Sequence, residues 1–346
     1  MSRSTPSDAH RPTGRRRAFS AALVAAGLLF APQPASAQEI KVGLSLPQNM
    51  KALDFVNGMY ETFKSEVEAN SDMTVDIVYG GALGAPNERL AQMRRGIIQM
   101  SDASDGNYAT IFPDIQVLNM PFLFPTEEAA WALMDGPIGD RLAEEIRDRT
   151  GIRVLGWWES GGFKHFSANT AIAAPGDMDG LKMRVLGPLA TIPVEALGAS
   201  AAPISFGELY TALQTGVVDG QDNSVVVFNL VKLYEVQDHL AMTGHTYGFG
   251  PMGMNNAFYE RLSPENQAVI DAAAEKAIAF NRKSARDSED AAIAFARENG
   301  VEVLELTDDQ RDAFRAIMQP AAIEWLTETI DTPALVEEVI EAVGAQ

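Results

Sequence analysis

The feature that most limits the possible folds is an alternation of strand-like and helix-like segments. EIKVGLSL at 39–46 is typical of a buried strand, ALDFVNGMYETFKSEVEA at 52–69 of an amphipathic helix, and MTVDIVY at 73–79 of the next strand. Strands separated by helices in this way form largely parallel sheets with helices on their faces. The sequence therefore predicts an α/β fold, and its 346 residues are enough for two domains of ordinary size.

An internal similarity suggests that this architecture is repeated. Segments 86–98 and 206–218 each contain a helical pattern that stops at a glycine and continues into an apolar pair. The two glycines, Gly96 and Gly216, are 120 residues apart. Helix, glycine and strand is also the standard connection in α/β proteins. The similarity therefore has two interpretations. It reflects either the connections common to all α/β proteins or the presence of two similarly built lobes.

A long helical pattern near the C-terminus indicates how such lobes would be joined. Ser263 has the position of an N-cap, Pro264 that of the first helical residue, and no glycine or proline follows until Gly300. One uninterrupted helix of this length would extend about 50 Å, which exceeds one lobe. We expect it to pack across both lobes, and a break near Ser284 is the alternative.

The first 37 residues have the pattern of an export signal. A basic stretch precedes an apolar run at 19–30, and Ala-Ser-Ala at 35–37 fits a cleavage site. The apolar run is shorter than the roughly 20 residues that a membrane-spanning helix needs. Arg16 and Arg17 also resemble a twin-arginine signal. We expect the signal to be cleaved after Ala37 and the remaining protein to be located in the periplasm.

Composition excludes several classes of protein and site. The formal net charge is −20 at pH 7, and the part after the arginine-rich N-terminus is more acidic still. Such a surface disfavours nucleic acid and anionic lipid as partners. The chain has no cysteine, which excludes disulfides, thiolate catalysis and cysteine zinc sites.

Motifs of enzymes and cofactor sites are poorly represented. GFGPMG at 248–253 fits G-x-G-x-x-G, but a proline interrupts it and no strand-then-helix context surrounds it. His165, His239 and His245 lack metal-ligand spacing. SDASDG at 101–106 is either a cation-binding turn or an ordinary turn at a strand end, without the calcium-loop pattern. We expect no cofactor and no metal, and an exported hydrolytic enzyme is the rival class.

A charged residue in an apolar strand is the main candidate for binding chemistry. In GLKMRVLGP at 180–188, alternation places Lys182 and Arg184 on one face, and Gly-Pro ends the strand directly after them. Ligands of open α/β sheets bind at the carboxyl ends of the strands. An arginine buried there needs an anion. The sequence predicts an anion pocket at Arg184, and pairing with an internal carboxylate is the alternative.

A second polar run ends what we expect to be a neighbouring strand. TGVVDGQDNS at 215–224 passes from an apolar pair into hydrogen-bonding side chains, among them Asn223. The carboxyl ends of parallel strands meet at one edge of a sheet, so Asn223 and Arg184 are expected to share a cleft.

These segments resemble a known family. DMDGLKMRVLGP and LGASAAPISFGELYTALQTGVVDGQDNS, together with GALGAPNERLAQMRRGIIQMS and VLNMPFLFPTEEAA, are similar to the solute-binding proteins of TRAP (tripartite ATP-independent periplasmic) transporters, of the C4-dicarboxylate-binding DctP type. The resemblance covers essentially the whole chain after the signal. It implies a periplasmic receptor that captures a small organic carboxylate, with a binding protein for an ABC transporter or a sensor as the alternative.

The resemblance also implies an architecture and partners. Members have a two-lobed periplasmic binding protein fold in which a hinge closes the lobes on the ligand. For this chain it implies lobe I at 38–161 plus about 249–288 and lobe II at 162–248 plus about 289–346. The implied partners are the small and large membrane subunits of a TRAP transporter, and we expect a monomer.

The residues that match the family's binding motifs follow from the same likeness. Arg184 matches the arginine that forms a two-pronged salt bridge with the ligand carboxylate, Asn223 matches an asparagine that helps hold the ligand, and Phe206 matches a phenylalanine that lines the pocket. Many members have a second arginine where this chain has Lys164, which keeps the charge and loses the planar fork.

Three further side chains are candidates from their neighbourhood. Glu159, near the expected crossover between lobes, would accept hydrogen bonds from ligand hydroxyls or an amine, or else be a solvated or capping residue. Tyr247 would line the cleft or belong to the core, and Asp105 would be a partner from the other lobe. A dicarboxylate, a sugar acid, a keto acid or an aromatic acid would each satisfy Arg184.

Overall fold

A single mixed sheet with helices packed around it positions the site. The computed structural model describes residues 38–49 and 55–344, which belong to one compact unit, Ala37–Gln346. The expected signal at 1–37 therefore lies outside the described residues. The nine strands of the described part are β1 Glu39–Gly43, β2 Thr74–Val78, β3 Met100–Ser101, β4 Ile152–Ala168, β5 Lys182–Val185, β6 Ser200–Pro203, β7 Gly220–Asn223, β8 His239–Asn255 and β9 Glu302–Glu305.

The helices of the described residues fall into α-helices and short 3₁₀ turns. The α-helices are α1 Phe55–Asn70, α2 Pro86–Arg94, α3 Asp105–Tyr108, α4 Glu127–Met134, α5 Pro137–Thr150, α6 Thr191–Ala196, α7 Leu209–Gln214, α8 Val225–Leu230, α9 Asn256–Tyr259, α10 Pro264–Arg286, α11 Glu289–Glu298, α12 Asp308–Thr329 and α13 Ala334–Gly344. The 3₁₀ turns are Pro113–Asn119, Pro175–Met178, Phe206–Glu208 and Leu233–Glu235. No helix in the described ranges is both long and apolar enough to cross a membrane.

The strands have the same sequence of parallel and antiparallel pairings when counted from either edge of the sheet. The order is β2-β1-β3-β8-β4-β7-β5-β6, with β9 pairing β8. In the first half, β2, β1 and β3 are parallel and β8 is antiparallel to them; in the second half, β6, β5 and β7 are parallel and β4 is antiparallel. The prediction of an α/β fold with largely parallel strands is confirmed in each half.

This arrangement favours the interpretation of two similarly built halves. Helix α2 leads into β3 and α7 leads into β7, which are equivalent positions in the strand order. Gly96 and Gly216 have φ values of 72° and 70°, the left-handed conformation that commonly ends helices. After each glycine an exposed apolar residue is followed by a buried one, Ile97 and Ile98 in the first half and Val217 and Val218 in the second.

Two long strands connect the halves at the centre of the sheet. Strands β4 and β8 have 17 residues each and pair antiparallel along most of their length. One end of β8 pairs with β3, and the opposite end of β4 pairs with β7. The pairing of β4 with β8 is irregular between Val154 and Trp157, between Glu159 and Gly162, and between Lys164 and Phe166. Because bulges bend strands and increase their twist, the connection between the halves is bent.

The long C-terminal helix is two helices, so the expectation of one uninterrupted helix is wrong. α10 ends at Arg286 and α11 begins at Glu289, close to the alternative break at Ser284. The Ser288 hydroxyl donates to the Ser284 carbonyl at 2.6 Å, a local bond that competes with regular helix. α10 packs on α1 and β4, whereas α11 packs on α8 and β9. The two helices together span both halves.

A buried asparagine of α10 holds the central strand. Asn281 is fully buried, its Oδ1 accepts from the Glu159 backbone N–H at 2.7 Å, and its Nδ2 donates to the Glu159 carbonyl at 3.1 Å and to the Phe55 carbonyl at 3.2 Å. The backbone of β4 at its central bulge is thereby joined to both α10 and α1.

Candidate functional site

Arg184 lies where the sequence predicts it, at the carboxyl end of a strand inside the sheet. β5 pairs with β7 through Arg184 and Gln221 and with β6 through Arg184 and Ala202. The side chain is only 2% exposed. Burial lowers the pKa of the guanidinium, and the charge of Asp222 opposes this effect. A guanidinium so far from water requires partners that the protein or a ligand must supply.

The protein supplies few of these partners. The Arg184 Nε donates to the Ile204 carbonyl at 2.9 Å, while Nη2 is buried without a hydrogen-bond partner among the described residues. Within the same residues no carboxylate oxygen lies within 4.0 Å of its nitrogens. Among the described residues Arg184 therefore has no close ion pair with an internal carboxylate, and Asp222 acts on it only from a longer distance.

Two cavities meet at this arginine. The first, which we name the cleft cavity, encloses about 730 Å³ including the space at its mouth. The second cavity encloses about 660 Å³ on the same terms. Both are lined by Lys164, Arg184, Leu186 and Asn223. The structure thus brings together three of the predicted ligand-binding residues, Arg184, Lys164 and Asn223.

The cleft cavity is formed by both halves of the sheet. From the second half it receives Arg184, Asn223 and the partly buried Phe206 of a 3₁₀ turn. From the first half it receives side chains at the ends of β1 and β3 and at the start of α1 and α3. The polar side chains of this first-half wall are Ser45, Asp102, Ser104, Asp105 and Asn107. The expected meeting of Arg184 and Asp105 in one cavity is therefore observed.

A buried ion pair organises the first-half wall. Arg89 of α2 is 1% exposed, and its Nη2 donates to Asp102 Oδ1 at 2.5 Å and to Ser45 Oγ at 2.6 Å. The other oxygen of Asp102 accepts from the Ser45 backbone N–H at 2.7 Å. Sequence reasoning misses Arg89, although it shares a helix face with the buried Met93 four residues later, and a charge on a buried face is a usable signal.

Asp105 differs from Asp102 in its surroundings. It is the first residue of α3 and is 2% exposed. Its Oδ1 accepts from the Gly106 backbone N–H at 2.7 Å, and its Oδ2 is buried without a hydrogen-bond partner among the described residues. Asp105 therefore presents an unused acceptor at the cleft cavity.

The second cavity contains an acid and base pair that sequence reasoning does not select. Asp222 Oδ2 lies 3.6 Å from His245 Nε2. Burial would raise the pKa of Asp222, but the adjacent His245 and the charges of Lys164 and Arg184 outweigh it and lower the pKa to about 2. His245 stacks on Phe166 with ring centroids 4.2 Å apart. The polar run that contains Asn223 also contains Asp222, so the signal for it is present in the sequence.

Two candidate residues lie elsewhere. Glu159 and Tyr247 line neither the cleft cavity nor the second cavity, so the expectation that they face the ligand is not met by the geometry. Trp158 and Ser160 line the cleft cavity, and Glu159 between them occupies the alternate position of the strand. Burial raises the pKa of Glu159 to about 7, an effect that the nearby polar groups of Tyr247 and Trp131 only partly oppose.

Tyr247 belongs to an aromatic cluster on that face. Its hydroxyl accepts from Trp131 Nε1 at 3.0 Å, and its ring makes edge contacts with Phe124, Trp131 and Phe163. Tyr247 is 1% exposed and packs in this structure as a core aromatic. Across the described ranges, no group of three or more acidic or histidine side chains is arranged to hold a metal ion.

Comparisons with known proteins identify the family to which this chain belongs. The model of the DctP family, described as bacterial extracellular solute-binding protein, family 7, matches residues 48–328. A solute-binding protein of Verminephrobacter eiseniae is 35% identical over 270 residues, which cover 77% of this chain and 79% of that protein.

Solved structures give the same result. The sugar acid binding protein DctPAm from Advenella mimigardefordensis, in complex with galactonate, superposes with a TM-score of 0.83 at 30% identity and covers 89% of this chain and 98% of its own. A TRAP periplasmic solute binding protein from Polaromonas sp. JS666, bound to D-erythronate, has a TM-score of 0.81 at 29% identity, with 89% and 98% covered.

These findings decide between the function classes that the sequence leaves open. The matching family consists of solute-binding receptors and not of enzymes, and its solved relatives are two-lobed binding proteins of TRAP type. The rival interpretation as an exported hydrolytic enzyme is therefore wrong. The chain belongs to the DctP family of bacterial extracellular solute-binding proteins and is a periplasmic solute receptor that serves a TRAP transporter.

Proposed function

We propose that this receptor captures a small organic acid by pairing the acid's carboxylate with Arg184 in the cleft cavity. The observation that carries the proposal is the buried guanidinium whose Nη2 has no partner among the described residues. Nε is already held by the Ile204 carbonyl, which fixes the plane of the group. A planar guanidinium held in this way matches the two oxygens of a carboxylate, a fit that water and chloride reproduce poorly.

Neighbouring side chains support the binding of an anion. Lys164 lines the cleft cavity and adds a second cation, although its compact ammonium does not replace the planar fork of an arginine. Asn223 lies at the carboxyl end of β7, next to the strand that carries Arg184, and its Nδ2 donates to Gln221 Oε1. We propose that Lys164, Asn223 and Phe206 complete the carboxylate end of the site.

We further propose that the two halves close on the ligand. Arg184 and Asp105 come from different halves, so a ligand that contacts both binds the closed form better than an open one, as a closure mechanism requires. The proposed lobes are 38–161 plus about 249–288 and 162–248 plus about 289–346, with the hinge at the bulges of β4. Small-angle scattering of the protein with and without ligand tests the closure.

The remaining proposals concern export and partners. We propose that residues 1–37 are a cleaved signal, that the twin arginines direct export of the folded protein, and that the receptor is a monomer that docks on one small and one large membrane subunit. N-terminal sequencing of the periplasmic protein tests the cleavage after Ala37. Replacing Arg16 and Arg17 by lysine blocks export if the twin-arginine signal is used. Light scattering tests the monomer, and uptake by vesicles with either membrane subunit omitted tests the transporter partners.

Thermal unfolding of the protein, purified from the periplasm and stripped of ligand by unfolding and refolding, tests the binding chemistry. A ligand at a thousand times its Kd adds about 4 kcal/mol to the free energy of unfolding, which is roughly 10 °C in Tm for a chain of this size. We expect a carboxylic acid to raise Tm and its neutral amide to leave Tm unchanged.

A pair of matched variants completes the test. Arg184→Lys keeps the charge and loses the planar fork, so the ligand response is expected to weaken by about tenfold or more in affinity. Arg311→Lys, an exposed arginine of α12 paired with Asp308, is the control and is expected to respond as the wild type does. A wild-type protein stabilised by a neutral compound and by no acid would refute the proposal.

A further inference from the structure

The first-half wall of the cleft cavity carries one carboxylate that no cation of the described residues neutralises. Asp105 forms no ion pair within 4.0 Å in the described ranges, and its Oδ2 is buried and unpartnered. Asp102 beside it is different, because Arg89 and Ser45 occupy its oxygens. Asp105 therefore offers a free, negatively charged acceptor to whatever fills the cavity.

The two walls of the cavity consequently require different groups from one ligand. The second half supplies Arg184 and Lys164, which need an anion, and the first half supplies Asp105, which needs a hydrogen-bond donor. We infer that the ligand is a monocarboxylate with hydroxyl or ammonium donors away from its carboxylate, and that Asp105 selects against dicarboxylates. This inference rests on the proposed pairing of the ligand carboxylate with Arg184.

The physical basis is the difference between a donor and a second anion at Asp105. A hydroxyl or ammonium group forms a charge-assisted hydrogen bond with the carboxylate and satisfies an acceptor that is otherwise buried alone. A second ligand carboxylate about 4 Å from Asp105 would instead be repelled by a like charge. This repulsion would lower the affinity by about a thousandfold, before rearrangement and solvent reduce the effect. We expect a net discrimination of about 100-fold or more.

Ligand pairs that differ only at the terminal carbon test this inference. D-Galactonate and galactarate have the same chain, with a terminal hydroxymethyl group in the first and a second carboxylate in the second, and D-erythronate and meso-tartrate form the equivalent four-carbon pair. Titration calorimetry on the refolded protein is expected to show binding of the monocarboxylate of at least one pair and about 100-fold weaker binding of its dicarboxylate. Comparison of 4-hydroxybutanoate with 4-aminobutanoate then distinguishes a hydroxyl from an ammonium donor.

Asp105→Asn identifies the residue responsible. Asparagine has the same shape and keeps an oxygen for the Gly106 N–H, so folding is expected to be preserved, while the like-charge repulsion is removed. The discrimination against the dicarboxylate is expected to fall at least tenfold. Asp72→Asn, at an exposed position, removes the same charge from the molecule and is expected to leave the discrimination unchanged.

The outcomes separate this inference from the proposed function. If the wild type binds galactarate, meso-tartrate or succinate as tightly as the monocarboxylates, or if Asp105→Asn keeps the full discrimination, the inference is wrong and the pairing with Arg184 still stands. Tighter binding of butanoate than of 4-hydroxybutanoate and 4-aminobutanoate would also overturn it, because no donor would then be needed. If no carboxylate of any kind binds, the proposed function itself fails and the inference fails with it.

Discussion

Replacing Arg184 by methionine is expected to abolish ligand binding without destabilising the ligand-free protein. The arginine is buried with one hydrogen bond to the Ile204 carbonyl and an unpartnered Nη2. Removing the arginine loses one charged hydrogen bond, which contributes about 1.5–3 kcal/mol to stability. It also removes the cost of burying the charge, which is several kcal/mol. Asp222 keeps the charge of Lys164 and the neighbouring His245 in the variant. Methionine is unbranched and apolar, so it fills much of the same space.

The expected balance is a gain in the free energy of unfolding of about 1–4 kcal/mol, the order seen when buried ion pairs are replaced by apolar side chains of similar volume. For a chain of this size that corresponds to a rise in Tm of roughly 2–10 °C. Scanning calorimetry of the ligand-stripped wild type and Arg184→Met measures the difference, and addition of the cognate acid then tests binding. A fall of more than about 2 kcal/mol would show that Arg184 stabilises the fold and would refute the reasoning.

Two further predictions concern buried ionisable groups. Arg89→Met is expected to lower the free energy of unfolding by about 3–5 kcal/mol, because Asp102 is left buried without its cation, and urea unfolding measures the loss; a change below about 1 kcal/mol would contradict it. The raised pKa of Glu159 favours the protonated form in the folded state, so its contribution to stability is present below the unfolded value of 4.5 and is lost as pH rises through about 7. Glu159→Gln is expected to be less sensitive to this rise than the wild type, by up to about 3 kcal/mol between pH 5 and 8. Urea unfolding measures the stability of both proteins, and the difference between them is the quantity to compare. Burial lowers the pKa of His165 to about 3, so in both proteins this residue makes stability increase as pH rises towards its unfolded pKa of 6.5. Equal pH profiles of the two proteins would refute the assignment.

Local patterns predicted the elements that carry the site. Alternation and the Gly-Pro stop at 187–188 place Arg184 at a strand end, and the structure has β5 at Lys182–Val185. The helices α2 and α7 stop at the predicted glycines, which adopt the left-handed conformation that commonly ends helices, and this requires only local information. These features were accessible because backbone preference and hydrophobic periodicity act over a few residues.

The features that sequence reasoning missed depend on contacts between distant segments. The side to which Glu159 points follows from bulges in the pairing of β4 with β8, and a single inserted residue shifts the alternation. The burial of Arg89 depends on Ser45 and Asp102, which follow the ends of β1 and β3. The break after Arg286 separates a helix that packs on α1 from one that packs on α8. None of these partners is specified by the local sequence.

The mirrored strand order also bears on the order in which the chain can fold. The first half receives its fourth strand from β8, at His239–Asn255, although its other three strands are complete by Ser101. A ribosome-bound chain that ends before β8 therefore has an unfilled sheet edge next to β3. Such non-local pairings slow folding, because loop closure must precede the contacts that reward it. The first half is therefore not a self-sufficient fragment, and its sheet can be completed only after β8 has been synthesised.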